Sequence, residues 1–162
     1  MKENAYKLLE TLKIAYEKVD HPPLFTRADA ERYQVKLDCM EIKNLLLCNK
    51  DRSRYYMVIV PLGKRIDLKQ LQEVLRETRL TFADEETLYN KLGVRLGAVS
   101  LLNLANVEHT DIKFLIDKGV IESEKVGFHP NDNTQTVIFD SGNILKILTC
   151  KKTQYQIIGG AI

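Results

Sequence analysis

Cysteine is scarce in this chain, and its spacing argues against two kinds of stabilising site. Cys39, Cys48 and Cys150 are an odd number of thiols, and no two of them lie in a CxxC arrangement. Structural zinc sites and disulfide frameworks both need cysteines at characteristic, usually paired, spacings. We therefore expect neither a metal nor another cofactor, and the thiols fit a reducing cytoplasm.

Long apolar runs are also missing. No segment approaches the roughly 18 apolar residues that a membrane-spanning helix needs, and the N-terminus leads into a helical pattern with no signal-peptide core. With 24 basic and 22 acidic residues the net charge is only +2, so a nucleic-acid surface would have to be a local patch. We expect a cytoplasmic protein with no membrane partner, folded as one domain over residues 1–162.

The common catalytic signatures are absent as well. The sequence contains no P-loop and no GxGxxG, HExxH or GxSxG motif, and its three histidines are scattered. Any chemistry would therefore come from isolated polar residues placed beside apolar segments.

Hydrophobic periodicity predicts strands interleaved with helices, which indicates an α/β or α+β domain with a mixed sheet. The predicted helices are 4–14, 27–34 capped by Thr26, 67–78 capped by Asp67, 84–93 beginning at Asp84 and ending at Gly93, and a last helix capped by Ser141. The predicted strands are 15–19, 42–48, 55–60, 98–100, 112–116, 120–122, 125–128 and 134–139. Strands 42–48 and 55–60 are expected to form a hairpin. The tail 155–162 carries no clear pattern.

The apolar run 42–48 has two polar residues at its entrance. Such a run of strand length is typical of a strand buried on both faces, so Lys43 and Asn44 lie where core meets solvent. Lys43 is either an ordinary boundary lysine whose amine reaches water, or a cation kept to bind an anionic group or a developing oxyanion.

Other candidate residues have equally plain alternatives. His129 is either a structural histidine or a site residue beside the turn at 131–133. Gly93 and Gly97 are either a helix C-cap and a turn glycine, or a loop whose N–H groups approach a substrate closely. Ser100 has no visible base partner, which disfavours a serine nucleophile.

Basic residues cluster around the predicted hairpin tip and after the following helix. These are Lys50, Arg52, Arg54, Arg76 and Arg79. They are either solvated surface charges or, if they share a face with a pocket, a rim that binds phosphates.

Several of these stretches occur together in a recognisable order. They are His21–Thr26, Lys43–Leu45 with its hairpin, Arg79–Ala83, Gly93–Ser100, and Gly127–Pro130 with Asn133 and Thr134. In this order they resemble the YbaK-like, prolyl-tRNA-synthetase-associated editing domains. The resemblance is closest to the free-standing branch that deacylates alanine mischarged onto proline tRNA.

The resemblance implies a single α/β domain with a mixed, mostly antiparallel central sheet flanked by helices. It also implies hydrolysis of the ester between a small amino acid and the terminal adenosine of proline tRNA, with prolyl-tRNA synthetase as a possible partner. Lys43 corresponds to the family's essential lysine, with Asn44 and His129 beside it as catalytic candidates. The resemblance also implies that Gly93 and Gly97 form a glycine loop next to the substrate and that Arg79 contacts a phosphate of the acceptor stem. We further expect Ser100, Leu45 and Phe128 to bind the substrate, and Lys50 and Arg52 at the hairpin tip to bind nucleic acid.

Position along the chain suggests a size filter. We expect Leu45, Val99 and Phe128 to bound a cavity that admits alanine and rejects larger side chains. The reaction itself needs only a positioned water and a stabilised oxyanion, because aminoacyl esters are already activated.

The chain departs from the family pattern at two places. Leu96 stands where a proline usually precedes the second glycine, and the segment 101–107 replaces the usual continuation after Ser100. Losing the proline is expected to loosen the glycine loop, which would weaken activity or alter specificity. Two alternatives therefore remain: a deacylase for cysteine on the same tRNA, and a non-catalytic module that binds tRNA or synthetase.

Overall fold

The computed structural model describes residues 1–159. The elements in chain order are α1 (Lys2–Thr11), β1 (Glu17–Asp20), α2 (Arg27–Arg32), β2 (Met40–Asn49), β3 (Tyr55–Pro61), α3 (Leu68–Leu75), β4 (Leu80–Phe82), α4 (Glu85–Leu92), a 3₁₀ helix (Leu101–Asn106), β5 (Ile112–Asp117), α5 (Lys118–Glu122), β6 (Lys125–Phe128), β7 (Gln135–Asp140), α6 (Asn143–Cys150) and β8 (Tyr155–Ile158). Within this range no helix is long and apolar enough to cross a bilayer. The last residues of the predicted domain, 160–162, lie outside the described residues.

The strands form one mixed sheet in the order β1-β7-β6-β2-β3-β5-β8, with β4 pairing separately with β2. Neighbours β1/β7, β7/β6, β2/β3 and β2/β4 are antiparallel, whereas β6/β2, β3/β5 and β5/β8 are parallel. The prediction of a single α/β sheet protein with mixed, mostly antiparallel pairing is confirmed. The unassigned tail contributes β8 at one edge of this sheet.

Strand β2 is the centre of the fold because its two faces enter different cores. Leu46 packs in the larger core with the N-terminal and C-terminal helices. Leu47, one residue further, packs in a smaller core against α3. Successive strand residues point to opposite faces, and fully burying a leucine stabilises by about 1.5–3 kcal/mol. The register of β2 is therefore fixed from both sides.

One edge of β2 changes partner along its length. The opposite edge pairs with β3 from Ile42 through Cys48. On the changing edge, β6 pairs only with Met40 and Glu41, and β4 pairs from Leu47 onward, after Ala83 N–H has bonded the carbonyl of Leu46. Among residues 1–159, no strand pairs with residues 42–45 on this edge. The sheet therefore has a gap beside Lys43, Asn44 and Leu45.

Local sequence accounts for most helix boundaries. Thr26 accepts from Asp29 N–H in a capping box, Asp67 caps α3, and Asp84 caps α4, which ends at Gly93 with φ +70°. These caps confirm the predicted starts, because Thr and Asp oxygens satisfy otherwise unpaired N–H groups. Helix α3 ends at Leu75, earlier than predicted, with Arg76 in the left-handed conformation.

Three local predictions are wrong. Segment 98–100 is not a strand, since Ser100 caps the 3₁₀ helix. Segment 120–122 belongs to α5, which Asp117 begins by accepting Gly119 N–H. Ser141 is not the cap of α6, because its Oγ donates to the carbonyls of Ile121 and Ser123 and Gly142 occupies the cap position.

Candidate active site

A cavity of about 390 Å³ lies beside the gap in the sheet. Its walls come from distant parts of the chain. They are residues 41–45 of β2, residues 24–27 before and in α2, residues 96, 97 and 99, and residues 127–129 at the end of β6, with Ala30, Leu37, Leu62 and Thr136. Because β6 and β4 diverge from this part of β2, side chains from both faces of the strand reach the opening.

Lys43 lies on this wall and is partly buried. Its Nζ donates to the backbone carbonyl of Lys64 at 2.5 Å. Burial lowers the pKa of Lys43 below its ordinary value, because removing an ammonium from water disfavours the charged form. The ammonium has three donors, so the bond to Lys64 leaves two that can serve a ligand in the cavity.

The segment that holds Lys43 is itself anchored. The ammonium of Lys64 forms an ion pair with the carboxylate of Asp117, whose side chain is 8% exposed. The other oxygen of that carboxylate accepts Gly119 N–H at 2.7 Å. Asp117 thus connects the end of β5 to the loop after β3 and, through it, to Lys43.

Asn44 is oriented by the 3₁₀ helix. Its Oδ1 accepts the N–H of Leu101 at 3.2 Å, and this fixes which end of the amide carries the two remaining donors. Asn44 also lines the cavity. It therefore links β2 to the segment that follows the glycine loop.

His129 has a defined tautomer. Its Nδ1 lies 2.9 Å from the carbonyl oxygen of Gln135, and a carbonyl can only accept, so Nδ1 carries the proton and Nε2 is the acceptor of the neutral ring. Burial lowers the pKa of His129 below 6.5. The ring is therefore neutral at pH 7.

A second histidine stands behind the first. The ring centroids of His21 and His129 are 5.9 Å apart. His21 Nδ1 donates to the Pro22 carbonyl, so its Nε2 accepts from the hydroxyl of Thr136 at 2.7 Å. Thr136 in turn lines the cavity, and His21 holds it in place.

The loop at 95–98 is a tight turn that does not need the missing proline to form. Ala98 N–H donates to the Arg95 carbonyl at 3.2 Å, Gly97 has φ +94°, and Leu96 is not among the positive-φ residues. This is the signature of a type II turn, which requires positive φ at its third position and favours proline at its second. Leu96 occupies the position that suits proline, and the turn forms with leucine there.

Gly97 is required for two reasons. Positive φ favours glycine, and a Cβ at this position would lie 2.7 Å from the ring of Phe25. Phe25 and Leu96 both line the cavity and are 62% and 61% exposed. The turn therefore packs its backbone against an aromatic ring at the cavity mouth.

Comparison with known proteins agrees with this arrangement. The family model for the aminoacyl-tRNA editing domain matches residues 21–147, a span that contains every wall of the cavity. This chain belongs to the aminoacyl-tRNA editing domain family.

Three known proteins are similar to this editing domain over most of their own length. The prolyl-tRNA editing protein ProX of Acetoanaerobium sticklandii is 31% identical over 150 residues, covering 93% of this chain and 92% of ProX. The prolyl-tRNA synthetase associated domain-containing protein 1 of Mus musculus is 35% identical over 133 residues, covering 80% and 78%. A crystal structure of a protein proposed to be a trans-editing enzyme for prolyl tRNA synthetase superposes with TM-score 0.68 at 17% identity, covering 96% and 94%.

Of the eight predicted catalytic and substrate-binding residues of this editing domain, six line the cavity and two do not. Lys43, Asn44, Leu45, Gly97, Phe128 and His129 are on its walls, as is Val99 of the expected size filter. Gly93 is the C-cap of α4, where a Cβ would meet Asn106 and Met1. Ser100 is fully buried, and its Oγ accepts Leu102 N–H. The positions of Gly93 and Ser100 indicate structural roles.

The predicted nucleic-acid-binding residues of the editing domain are outside the cavity. Asn49 pairs with Leu80 at the end of the antiparallel β2/β4 ladder. Lys50 and Arg79 are the residues directly beyond this last pair. Both are exposed. Arg52 lies 3.7 Å from Asp84 in an exposed ion pair. Lys50 is seven residues beyond Lys43, or about 23 Å along an extended strand.

Sequence reasoning missed Lys64, Asp117, Asn103 and Asn131 of this editing domain. Lys64 and Asp117 look like surface charges in the sequence, and their pairing depends on the β3/β5 register. Asn131 carried a weak signal, because it lies in a polar turn directly after Phe128–Pro130. Asn103 is fully buried, and in the sequence only the apolar residues next to it indicate this burial.

Proposed function

We propose that this protein is a cytoplasmic hydrolase that removes mischarged alanine from proline tRNA in trans. The observation that carries the proposal is the convergence of Lys43, Asn44 and His129, from β2 and from the end of β6, on one cavity of about 390 Å³. The family membership and the names of the relatives support the reaction class and the tRNA. The identity of the amino acid is our inference.

The reaction is hydrolysis of an ester. A water oxygen adds to the ester carbonyl, the bond to the ribose oxygen breaks, and the products are a free amino acid and a tRNA with a free terminal hydroxyl. The tetrahedral intermediate carries negative charge on the former carbonyl oxygen. Donors held in place before the reaction stabilise that charge most effectively.

Lys43 is the proposed source of this stabilisation. Its bond to the Lys64 carbonyl fixes the amine at the cavity wall. The two remaining donors are then available for the oxyanion or for a phosphate of the terminal nucleotide. A cation placed in a partly desolvated site interacts more strongly with charge than one in water does.

Asn44 and His129 have complementary proposed roles. The amide nitrogen of Asn44 is a donor because its oxygen is already bonded to Leu101 N–H. The Nε2 of neutral His129 is an acceptor, so it can orient the attacking water and take its proton. A general base must be unprotonated to accept a proton, and burial, which lowers the pKa of His129, favours that form.

Selectivity for alanine would come from the apolar part of the wall. Leu45, Val99 and Phe128 all line the cavity, and a small apolar side chain fits beside them better than a large one. A hydrophobic pocket separates neighbouring sizes by only about 10–200-fold. That range suffices for an enzyme that follows a synthetase with its own selectivity.

The acceptor stem would contact the far end of β2. Lys50 and Arg79 directly flank the last β2/β4 pair, Asn49 with Leu80, and both are exposed. Their separation from Lys43, about 23 Å along the strand, leaves room for the single-stranded end of the tRNA between phosphate contacts and the ester. Such contacts supply affinity that depends on salt.

The test is hydrolysis of proline tRNA charged with alanine, cysteine or serine. We expect fastest release of alanine, and a loss of about 10²-fold or more in Lys43→Ala. Lys146→Ala, which removes an exposed lysine on α6, should behave like the unmodified protein. Unchanged turnover in Lys43→Ala would refute the mechanism.

The same assay separates the alternatives. Preferential release of cysteine would identify the other substrate, and no release with measurable tRNA binding would indicate a non-catalytic module. Repeating the assay with added prolyl-tRNA synthetase shows whether the synthetase is a partner, since a faster rate would indicate joint action.

A further inference from the structure

The two walls of the cavity are connected behind its surface by side-chain hydrogen bonds between asparagines. Asn103 Nδ2 donates to Asn131 Oδ1 at 2.8 Å. Asn103 is fully buried and Asn131 is 8% exposed. Buried amides are costly unless their donors and acceptors are satisfied, so this pair is a specified connection within the core.

Asn103 holds the glycine-loop wall from behind. Its Oδ1 accepts Ser100 N–H at 2.7 Å, and its Nδ2 also donates to the Ala98 carbonyl at 3.0 Å. Ala98 and Ser100 flank Val99, which lines the cavity. One side chain therefore fixes the backbone on both sides of a cavity residue.

Asn131 holds the opposite wall, two residues after His129. Its φ is +63°, a left-handed conformation that asparagine adopts more readily than most residues. Its Nδ2 donates to the Met1 carbonyl at 2.8 Å and to Asn106 Oδ1 at 2.9 Å. Its Oδ1 accepts from Asn106 as well as from Asn103. The turn that carries His129 is thus anchored to Met1, directly before α1, and to the 3₁₀ helix.

We propose that the Asn103–Asn131 hydrogen bond sets the separation of the walls formed by residues 96–99 and 127–129, and so limits the size of the aminoacyl side chain that is hydrolysed. The two asparagines are positioning residues, since neither lines the cavity. The inference rests on the proposed editing function because it assigns selectivity to that same cavity. It also explains how the loop stays ordered with leucine in place of the family's proline.

The structure of the two walls explains why the Asn103–Asn131 bond would control the width of the cavity. The wall at 96–99 is irregular backbone, whereas the wall at 127–129 is the end of β6 and the residue after it. Among the described residues no strand ladder joins 96–99 to 127–129. Neighbouring side-chain sizes differ by one methylene, which a pocket distinguishes by only about 10–200-fold. A small outward movement of one wall would therefore remove the discrimination before it removed catalysis.

Two substitutions at one position separate this role from general stabilisation. Asn131→Gly keeps the left-handed backbone accessible and removes the amide. Asn131→Asp keeps oxygens that can accept from Asn103 and loses the donors to Met1 and Asn106. Asn4→Ala is the matched control, because it deletes only the exposed end of the network, the bond from Asn4 to Asn106.

The measurement is kcat/KM for proline tRNA charged with alanine and charged with proline. In Asn131→Gly we expect the alanine-to-proline ratio to fall by about tenfold or more, mainly because hydrolysis of the prolyl ester rises. Asn131→Asp and Asn4→Ala should keep the ratio within about threefold. A merely structural role would lower both rates together and leave the ratio unchanged.

The outcomes are distinguishable from those for the proposed function. An unchanged alanine-to-proline ratio in Asn131→Gly overturns this inference, and so does a fall in Asn131→Asp as large as that in Asn131→Gly. In either case the proposed editing function is unaffected. If the unmodified protein hydrolyses neither ester, the proposed function fails and this inference with it. Should Asn131→Gly not fold, Asn103→Asp replaces it: its carboxylate still accepts from Ser100 and cannot donate to Asn131, and the same fall in ratio is expected.

Discussion

The Nζ of Lys43 lies 2.5 Å from the carbonyl oxygen of Lys64. Lys64 in turn pairs through its own ammonium with Asp117, and Asp117 also begins α5. The amine proposed to meet the substrate is therefore positioned by the backbone of one lysine, and that backbone is held by a buried carboxylate. Activity should depend on residues that never reach the cavity.

Asp117→Asn tests this dependence. The asparagine oxygen can still accept Gly119 N–H, whereas the ion pair with Lys64 is lost. We expect deacylation to fall by about tenfold, since small displacements of a catalytic group are expensive, and the free energy of unfolding to fall by about 1–3 kcal/mol. Glu122→Gln breaks the exposed Lys118–Glu122 pair and should change stability by no more than about 0.5 kcal/mol. Wild-type rates in Asp117→Asn would show that Lys43 does not need this support.

Gly97→Ala should damage both stability and activity. Its backbone has φ +94°, and the new Cβ would lie 2.7 Å from the Phe25 ring. We expect a loss of about 1–3 kcal/mol in unfolding free energy and a larger loss of deacylation than of stability. Gly142→Ala is the matched control: no atom lies within 4 Å of its Cβ and its backbone is right-handed, so it should change stability by no more than about 0.5 kcal/mol. Equal effects of the two substitutions would contradict the packing argument.

Leu96→Pro should be tolerated. Leu96 occupies the second position of a type II turn, which favours proline, and restricting the unfolded chain there stabilises by about 0.4–1 kcal/mol. Thermal unfolding and deacylation rates measure the effect. We expect a small gain in stability with activity retained. A loss of stability would show that the turn of the editing loop is not of this type.

Stability should fall on acidification because of His129. Burial lowers its folded-state pKa below the ordinary 6.5, so in the window between those values the unfolded chain binds a proton that the folded chain does not. The free energy of unfolding therefore decreases as pH falls through that window, by about 1.4 kcal/mol for each unit separating the two pKa values.

Denaturant unfolding at pH 7.5 and 5.5 measures this change. His129→Asn should show a smaller decrease, because an amide can keep the bond to Gln135 and does not titrate. His109→Asn replaces an exposed histidine and should leave the decrease as it is in the unmodified protein. The same decrease in His129→Asn would assign the effect to other groups.

Sequence patterns predicted the elements that continuous or periodic apolar residues define. Strand β2 and the caps at Thr26, Asp67 and Asp84 follow from local chemistry, and Lys43 at the strand entrance was identifiable for the same reason. Segment 120–122 was wrongly predicted as a strand because Val and Ile favour strands. The side chain of Asp117, three residues earlier, starts a helix there instead.

The rest of the site depends on long-range pairing that local patterns do not encode. The gap in the sheet exists because β6 leaves β2 after Glu41 and β4 joins it at Leu47, and these partners are far away in the chain. Asn103 and Asn131 likewise meet only in the folded protein. In sequence, a buried asparagine in a network cannot be told from one that faces water.

Because of the gap beside residues 42–45, the length of β4 alone can determine whether the cavity is open. Pairing of β4 with β2 stops near Leu46. If β4 were a few residues longer, its pairing would continue towards Glu41 and fill the gap in the sheet. Such a change would close the cavity while leaving every residue that lines it in the sequence. Insertions or deletions next to β4, and not only substitutions at Lys43, are therefore a route by which a protein of this fold gains or loses a binding pocket.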